Sequence, residues 1–244
     1  QMCIRDRAMQ RLKNGKAEHG DIILSKYQSG GRGQAENTWY ATDGKNLLMS
    51  IICKDIQVKA SELPKLNILV SLAVFNLVNA YFENTTSVKW PNDILVDDKK
   101  IAGILVESIL SGDFVKHVVI GIGLNVNEAT FPGYLDSACS LYSLTQQDYD
   151  VEDILFKLID QIDLQLSKLS TKKFDELRAE YEAVLYAMNA KRYFRSFDSY
   201  FEGKITGINK SGQLCIETTD GIETFSNKEI AFDFSKHRYW KYQN

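Results

Sequence analysis

Residues 89–107 read KWPNDILVDDKKIAGILVE, in which two apolar runs flank a short charged segment. The runs Ile94–Val96 and Ile101–Leu110 predict two neighbouring strands joined by a tight turn at the two aspartates between them. Just before the first run, Trp90–Asn92 interrupts the strand pattern, since its central proline donates no hydrogen bond to a sheet. The stretch therefore predicts an antiparallel hairpin that opens with an irregular segment.

Pairing across this hairpin brings two opposite charges together. With the turn centred on Asp97-Asp98, Leu95 faces Lys100 and Asp93 faces Ala102. Side-chain alternation then places Asp93 and Lys100 on the same face of the sheet. The pair belongs either to a binding site or to an ordinary surface ion pair, which is worth ~0–1 kcal/mol. This segment alone does not separate the two.

Short apolar runs bounded by turn residues indicate further strands of the same sheet. They lie at Ile22–Leu24, Leu47–Cys53 and Val118–Val126. Within Ser61–Glu83, apolar residues recur at spacings of three and four, which fits a largely buried helix. Asp150 can cap a second helix, and a third covers Lys173–Leu185. Several strands mixed with helices predict an α+β domain.

The C-terminal part of the chain has a different pattern. Phe201–Ile208 and Gln213–Thr218 alternate around a turn at Asn209–Gly212. So small a sheet is seldom stable with bare faces and edges. We therefore expect a small β-barrel over residues 189–238 that leans on a larger domain over residues 8–188.

Composition argues against several classes of function. The 244 residues include 29 Lys plus Arg and 32 Asp plus Glu, a formal net charge of -3, which does not favour DNA or an anionic membrane. Four cysteines without a Cys-x-x-Cys pair argue against a zinc ribbon or a disulfide framework. The apolar window Leu66–Phe82 falls short of the ~18 uninterrupted apolar residues of a spanning helix. We expect a cytoplasmic protein that binds neither DNA nor a membrane.

Two glycine-rich segments are candidates for ligand contact. Ser29–Gln34 follows a predicted strand, and its backbone N–H groups together with the Arg32 guanidinium suit an anion. Taken alone, that segment is more simply a glycine-rich surface turn. Gly121–Asn127 ends another strand, where small residues either allow a ligand close to the backbone or form a β-bulge.

Taken together and in order, these segments resemble the biotin protein ligases. The resemblance runs from about Asp21 to Ala231. It rests on Gly31-Arg32-Gly33-Gln34 with Trp39, on Gly44–Leu47, on Lys89–Asp93, on Lys99–Glu107 and on Gly121–Asn125. The Lys-Trp-Pro-Asn-Asp block followed by Lys-Ile-Ala-Gly-Ile-Leu is hard to confuse with other families. A set of unrelated turns and ion pairs would require several independent coincidences.

The resemblance implies a fold and a reaction. The fold is a class II synthetase-like catalytic domain, with a mixed sheet and helices, followed by a small SH3-like β-barrel. In the reaction, biotin and Mg-ATP give biotinyl-adenylate and pyrophosphate. A lysine of a biotin carboxyl carrier domain then attacks the mixed anhydride.

The resemblance also assigns roles to residues. The implied catalytic residues are Arg32, Lys89, Asp93 and Lys100. Contacts with biotin or the adenylate are implied for Gln28, Gly31, Arg32, Gly33, Gln34, Trp39, Lys100 and Gly103, and contacts with the nucleotide for Asn92, Asp93 and Asn125. Asp93 is also the implied Mg²⁺ ligand. The loop that carries Arg32 resembles a family segment that orders over bound ligand and keeps water from the anhydride.

The sequence departs from the family pattern in the glycine-rich loop and at its start. Gln34 stands where many relatives have a second arginine, and Ala35-Glu36 replaces residues that are more often glycine or basic. The family's first strand and its Ser-Thr-Asn element, which contacts the biotin ring, should precede Ala8, and nothing in Gln1–Arg7 matches them. We therefore expect an N-terminally truncated ligase of the monofunctional type, without a winged DNA-binding domain.

Two alternatives stay open from the sequence. A lipoate-protein ligase shares the fold and the adenylation chemistry, although it is not expected to carry the Lys89–Asp93 block. A non-catalytic module that binds biotin or a carrier is the second, since a chain lacking part of the ring pocket could bind without turning over. The motifs fix neither the carrier protein nor the oligomeric state, for which a homodimer is one option.

Overall fold

The computed structural model describes residues 3–28, 38–197 and 199–234. It places them in two sheets, one built from the first six strands and one from the last five, with α-helices packed against the first. The predicted α+β class is confirmed.

Six strands form the first sheet. Their bounds are β1 Ile22–Leu24, β2 Leu47–Lys59, β3 Thr86–Lys89, β4 Asp93–Val96, β5 Lys99–Ser111 and β6 Phe114–Leu124. They lie in the order β1-β2-β6-β5-β4-β3. Short hairpins connect β3 through to β6, so neighbouring strands alternate in direction. Where the resemblance implied a mixed sheet, the neighbouring strands of this sheet pair antiparallel.

The central strands extend beyond the apolar runs that predicted them. β2 continues past Cys53 to Lys59 after a register shift between Lys54 and Val58, and β6 begins at Phe114. Backbone pairing in a hairpin does not require an apolar side chain at every position, so a charged residue ends the pattern without ending the strand.

Helices of 5 to 17 residues pack around the first sheet. Their bounds are α1 Ile4–Lys13, α2 Leu63–Asn79, α3 Leu141–Thr145, α4 Val151–Leu166 and α5 Phe174–Glu182. α2 is shorter than predicted, because a separate 3₁₀ turn at Ala60–Glu62 precedes it and Pro64 occupies its first turn. Asp150 caps α4 as predicted, accepting a hydrogen bond from the Glu152 N–H at 2.8 Å.

α2 is the most apolar helix of the described chain. Together with the turn before it, Ala60–Asn79 is long and apolar enough to cross a membrane by length and composition alone. In the fold, 61% of its 18-residue window is buried inside the protein, where the helix packs on α4, α5 and the first sheet. Burial in the core accounts for this hydropathy without a bilayer.

The other face of the first sheet is covered by α1. Ile4 and Ala8 of this helix pack with Leu48, Ile52 and Val119 in a second apolar cluster. The start of the chain, where the sequence showed no match to the family's first strand or its Ser-Thr-Asn element, thus forms a helix with a buried face.

The last five strands form a small second sheet, consistent with the predicted barrel. Their bounds are β7 Lys191–Ser196, β8 Ser199–Ile208, β9 Leu214–Thr218, β10 Gly221–Phe225 and β11 Ala231–Phe232, in the order β10-β9-β8-β7-β11. The first and last of these, β7 and β11, lack a clear apolar alternation and were not predicted.

The two sheets share one core. Phe194 and Ile205 of the second sheet belong to the same buried cluster as Leu66 and Leu69 of α2. Polar contacts also cross between them, such as the Ile208 N–H donating to Glu182 Oε1 at 2.8 Å. The division into domains at residues 188 and 189 stays a prediction.

Candidate active site

A cavity of about 350 Å³ lies beside the hairpin of β4 and β5. Its walls come from the start of α1, from Trp39, from the loop between β3 and β4, and from β11. Among the described residues, five charged side chains line it, the cations Arg5, Lys89, Lys100 and Lys228 and one carboxylate, Asp93. Such a lining favours an anionic ligand.

The predicted meeting of Asp93 and Lys100 is confirmed. Lys100 Nζ lies 2.6 Å from Asp93 Oδ1, and Lys89 Nζ lies 4.0 Å from Asp93 Oδ2. The Asp93 side chain is only 20% exposed, so this is a partly desolvated pair inside the cavity rather than an ion pair on open surface.

The register that led to this prediction is partly wrong. Leu95 faces Lys100 as expected, but Asp93 faces Gly103 and not Ala102. The register shifts between Ile94 and Leu95, leaving one unpaired residue on β5, which is a β-bulge. A bulge changes the direction in which neighbouring side chains point. In this hairpin Asp93 and Lys100 are still in contact.

Trp39 lies across two glycines of the sheet. A Cβ added at Gly103 would come 2.8 Å from the Trp39 ring, and one at Gly123 would come 2.6 Å from it. Lys100 Nζ lies 5.4 Å from the ring centroid on the same side. The glycines of both motifs therefore provide room for an indole against the sheet. The sequence had instead predicted that a ligand approaches the backbone at Gly121–Asn127 and contacts Gly103.

Two buried neutral polar atoms of the cavity lining have no hydrogen-bond partner among the described residues. They are Trp39 Nε1 and Ser50 Oγ. Ser50 belongs to β2, is fully buried and lines the cavity. Buried polar groups are usually paired, so these two are available to a polar ligand.

Lys89 ends β3 and reaches toward the second sheet. Its Nζ lies 5.6 Å from the ring centroid of Phe232 and 5.3 Å from that of Phe234. Burial lowers the pKa of Lys89 below its usual value, and the neighbouring Asp93 opposes that change. The sequence assigned Lys89 to the site without indicating these rings.

Residues at the start of the chain also line the cavity. Gln28, predicted as a ligand contact, accepts a hydrogen bond from the Ile4 N–H at 3.0 Å through its side-chain oxygen. Arg5 Nε lies 3.0 Å from Glu107 Oε2, which pairs its charge. No motif pointed to Cys3, Ile4 or Arg5, so this part of the wall was missed.

The two predicted asparagines differ in position. Asn92 lines the cavity, and its amide donates to the Ile104 carbonyl. Asn125 does not reach the cavity: it is 4% exposed, and its amide donates to the Cys139 carbonyl at 2.9 Å. In this structure Asn125 holds a loop in place, and no contact places it on the nucleotide side.

The Gly44–Leu47 motif also has a structural role. The Asn46 amide donates to Glu128 Oε2 at 2.8 Å, and Asn46 Oδ1 accepts from the Val126 N–H at 3.0 Å. Glu128 additionally accepts from the backbone N–H and the hydroxyl of Thr42. This buried network fixes the segment between Trp39 and β2.

Four predicted residues, Gly31, Arg32, Gly33 and Gln34, lie outside the described residues. Their implied roles remain predictions.

A magnesium site would rest on one described carboxylate. Within the described ranges, no group of three or more His, Cys, Asp or Glu side chains could hold a metal. Mg²⁺ at nucleotide sites is often held by one or two carboxylates together with substrate phosphates. Asp93, already beside a cationic cluster in the cavity, fits that arrangement.

Comparison with known families and proteins agrees with this geometry. The model of the biotin/lipoate A/B protein ligase family matches residues 3–125. The bifunctional ligase/repressor BirA of Bacillus spizizenii is 30% identical over 222 residues, covering 90% of this chain and 68% of that protein. The biotin--[acetyl-CoA-carboxylase] ligase of Paracoccus denitrificans is 26% identical over 216 residues, covering 86% and 89%.

Solved structures agree as well. The biotin protein ligase of Aquifex aeolicus in complex with biotin and ATP superposes with a TM-score of 0.76 at 27% identity, covering 93% of this chain and 94% of that one. The match extends over both sheets, including the C-terminal one that the family model does not reach.

Proposed function

Because the chain belongs to the biotin/lipoate A/B protein ligase family, we propose that it is an ATP-dependent biotin protein ligase. It forms biotinyl-5′-AMP and transfers the biotinyl group to a lysine of a biotin carrier protein. The observation that carries the proposal is the electropositive cavity in which Lys89 and Lys100 flank Asp93 beneath Trp39.

The first step joins two anions. A carboxylate oxygen of biotin attacks the α-phosphorus of ATP, the bond from that phosphorus to the bridging oxygen breaks, and pyrophosphate leaves. The carboxylate and the triphosphate repel each other. Lys89 and Lys100 would offset this charge inside a partly desolvated cavity, where such groups act more strongly than in water.

Asp93 pairs closely with Lys100 and is the described residue that would bind Mg²⁺. When bound, the metal supplies further neutralisation of the triphosphate. Lys100, whose Nζ lies 2.6 Å from Asp93 Oδ1, is the described cation that would reach a substrate oxygen at this end of the cavity.

The second step uses the mixed anhydride. The neutral amine of the carrier lysine attacks the acyl carbon, AMP leaves with the bonding electrons, and the amine loses a proton as the amide forms. Trp39, which covers Gly103 and Gly123 of the sheet, would keep the acyl group in the cavity while the carrier approaches from solvent.

For the partners, we propose the carrier domain of a biotin-dependent carboxylase, with no DNA binding and a cytoplasmic location. The net charge of -3 supports the absence of DNA binding. A homodimer is also proposed, although no surface of the chain is assigned to its interface.

Biotin is favoured over lipoate because the similar proteins of Paracoccus denitrificans and Aquifex aeolicus are named as biotin ligases. The deciding experiment is biotin-dependent ATP–pyrophosphate exchange, followed by transfer of labelled biotin to a purified carrier domain. We expect both activities with biotin and neither with lipoate. Binding of biotin without exchange would instead identify a non-catalytic module.

A further inference from the structure

Lys89 is held in an unusual setting for an active-site lysine. Its side chain is 24% exposed, and its nearest carboxylate oxygen, on Asp93, lies 4.0 Å away. The same carboxylate is engaged much more closely by Lys100, at 2.6 Å. Asp93 therefore does not by itself fix the position of the Lys89 ammonium.

Two rings of the second sheet surround this ammonium instead. Phe232 lies in β11 and Phe234 two residues beyond it, with ring centroids 5.6 and 5.3 Å from Nζ. Both distances fall within the ~6 Å over which a cation is attracted to an aromatic face. The two rings stack on each other at 5.9 Å with planes 24° apart, which makes them one surface.

This aromatic pair is anchored on both sides. Phe232 packs at 5.1 Å on Phe194, which is fully buried in the core of the second sheet. Tyr186 contacts both rings, and its hydroxyl donates to Asp98 Oδ1 at 2.8 Å in the turn between β4 and β5. The rings are thus connected to the same hairpin that carries Asp93 and Lys100.

We propose that Phe232 and Phe234 are positioning residues that hold the Lys89 ammonium at the cavity, so that the second sheet completes the active site. A carboxylate in their place would fix the lysine but cancel its charge. Ring faces attract the ammonium and leave its full positive charge for the anionic oxygens of the substrate. The proposal rests on the ligase function for its kinetic consequences, but not for the placement of the side chain.

The kinetic test uses Phe232→Leu and Phe234→Leu, which keep an apolar side chain and remove the ring. Each should lower kcat for pyrophosphate exchange about threefold to thirtyfold, the range expected for one cation–π contact, and leave the KM for biotin unchanged. Phe234→Tyr keeps the ring and should retain most of the activity. In a Lys89→Ala background, Phe232→Leu should give no further loss.

A matched control separates positioning from folding. Phe201→Leu removes a ring that stacks in the same sheet, on Phe194 and Phe225, without a contact to Lys89 among the described contacts. It should change the thermal stability by an amount similar to Phe232→Leu and leave kcat near that of the unmodified chain. An equal loss of kcat in Phe201→Leu, or an additive loss in the Lys89→Ala background, would overturn the proposal.

A second measurement does not depend on catalysis. Acetylation of lysines by an N-hydroxysuccinimide ester, followed by peptide mass spectrometry, reports how accessible Lys89 is in the folded chain. Both Leu variants should raise the labelling rate of Lys89 at least threefold relative to Lys157, and Phe201→Leu should not. Unchanged labelling in the Leu variants would refute the aromatic placement, whereas an inactive unmodified chain with the expected labelling would count only against the ligase function.

Discussion

The ring of Trp39 lies so close to Gly123 that a methyl group on this glycine would come within 2.6 Å of the indole. Real Cβ atoms do not approach so closely, so any side chain at position 123 must displace the ring or the strand. Trp39 is 5.4 Å from Lys100 Nζ, and its displacement would open the cavity on the side where the charges lie. Gly123 therefore affects the cavity indirectly, because it determines where the Trp39 indole can lie.

Gly123→Ala should weaken substrate binding more than it weakens the fold. Overpacking of this kind costs about 1–3 kcal/mol, part of which is relieved when the indole moves outward. We expect the KM for ATP or the KM for biotin to rise about tenfold. We also expect the tryptophan fluorescence to change. Gly121→Ala is the matched control for the indole, because the nearest atom to its added Cβ is at 3.6 Å. Identical fluorescence in both variants would contradict the contact.

Asp93→Ala should abolish adenylation while the chain stays folded. The change removes the carboxylate that pairs with Lys100 at 2.6 Å and lies 4.0 Å from Lys89 and, in the proposed function, removes the Mg²⁺ ligand. A loss of pyrophosphate exchange of about a hundredfold or more is expected, as for other preorganised electrostatic groups. Thermal unfolding measured in parallel reports the fold. Asp93→Asn preserves shape and tests charge alone, and normal exchange in that variant would remove the carboxylate from the reaction.

Glu128→Ala should destabilise the chain without touching the cavity. Glu128 is 6% exposed and accepts hydrogen bonds from Thr42 and Asn46, which would be left unpaired. We expect a loss of about 2–4 kcal/mol, or a fall in Tm of about 5–12 °C. Glu128→Gln keeps one acceptor oxygen, so its Tm should lie between that of Glu128→Ala and that of the unmodified chain. A Tm within 1 °C of the unmodified chain would show that the network is dispensable.

Alkaline conditions should unfold the protein in part through two thiols. Burial raises the pKa of Cys53 to about 11 and that of Cys139 to about 12. The folded state therefore binds these protons more tightly than the unfolded state, whose thiols titrate near 9. Their contribution to stability is complete below about pH 9 and is lost as the pH rises toward 11 and 12.

The measurement is the free energy of unfolding between pH 8 and pH 11. Replacing both cysteines with alanine removes these two titrations and should flatten the decline, although the cavities lower stability at every pH. Iodoacetamide at pH 8 should modify Cys139 in the native chain far more slowly than in urea. Equal rates in the two conditions would contradict its burial.

Much of the fold could be predicted because its elements carry local signals. The helix α4 has an apolar stripe and a capping aspartate, and the β4–β5 hairpin has two apolar runs around a charged turn. The strands β7 and β11 lack such a pattern, since they are stabilised by rings from elsewhere in the sheet. Phe232 is an example, because its partners Phe194 and Tyr186 are distant in sequence.

The same distinction between local signals and contacts distant in sequence applies to the candidate site. Asp93 and Lys100 lie seven positions apart on one hairpin, so alternation was enough to bring them together despite the bulge that changed their register. The position of Asn125 could not be read from the sequence, because only the loop at Cys139, which no pattern predicts, explains where its amide points. Long-range contacts of this kind require the assembled fold.

The indole N–H of Trp90 donates to the Gly212 carbonyl at 2.9 Å, joining the loop before Asp93 to a turn of the second sheet. The two parts of the chain are consequently poor modules for recombination. A C-terminal sheet exchanged with that of a distant relative would have to bring a matching carbonyl for this indole and a matching apolar surface for the common core. Evolution of the two parts is therefore expected to be coupled, with substitutions at one surface selecting for compensating changes at the other.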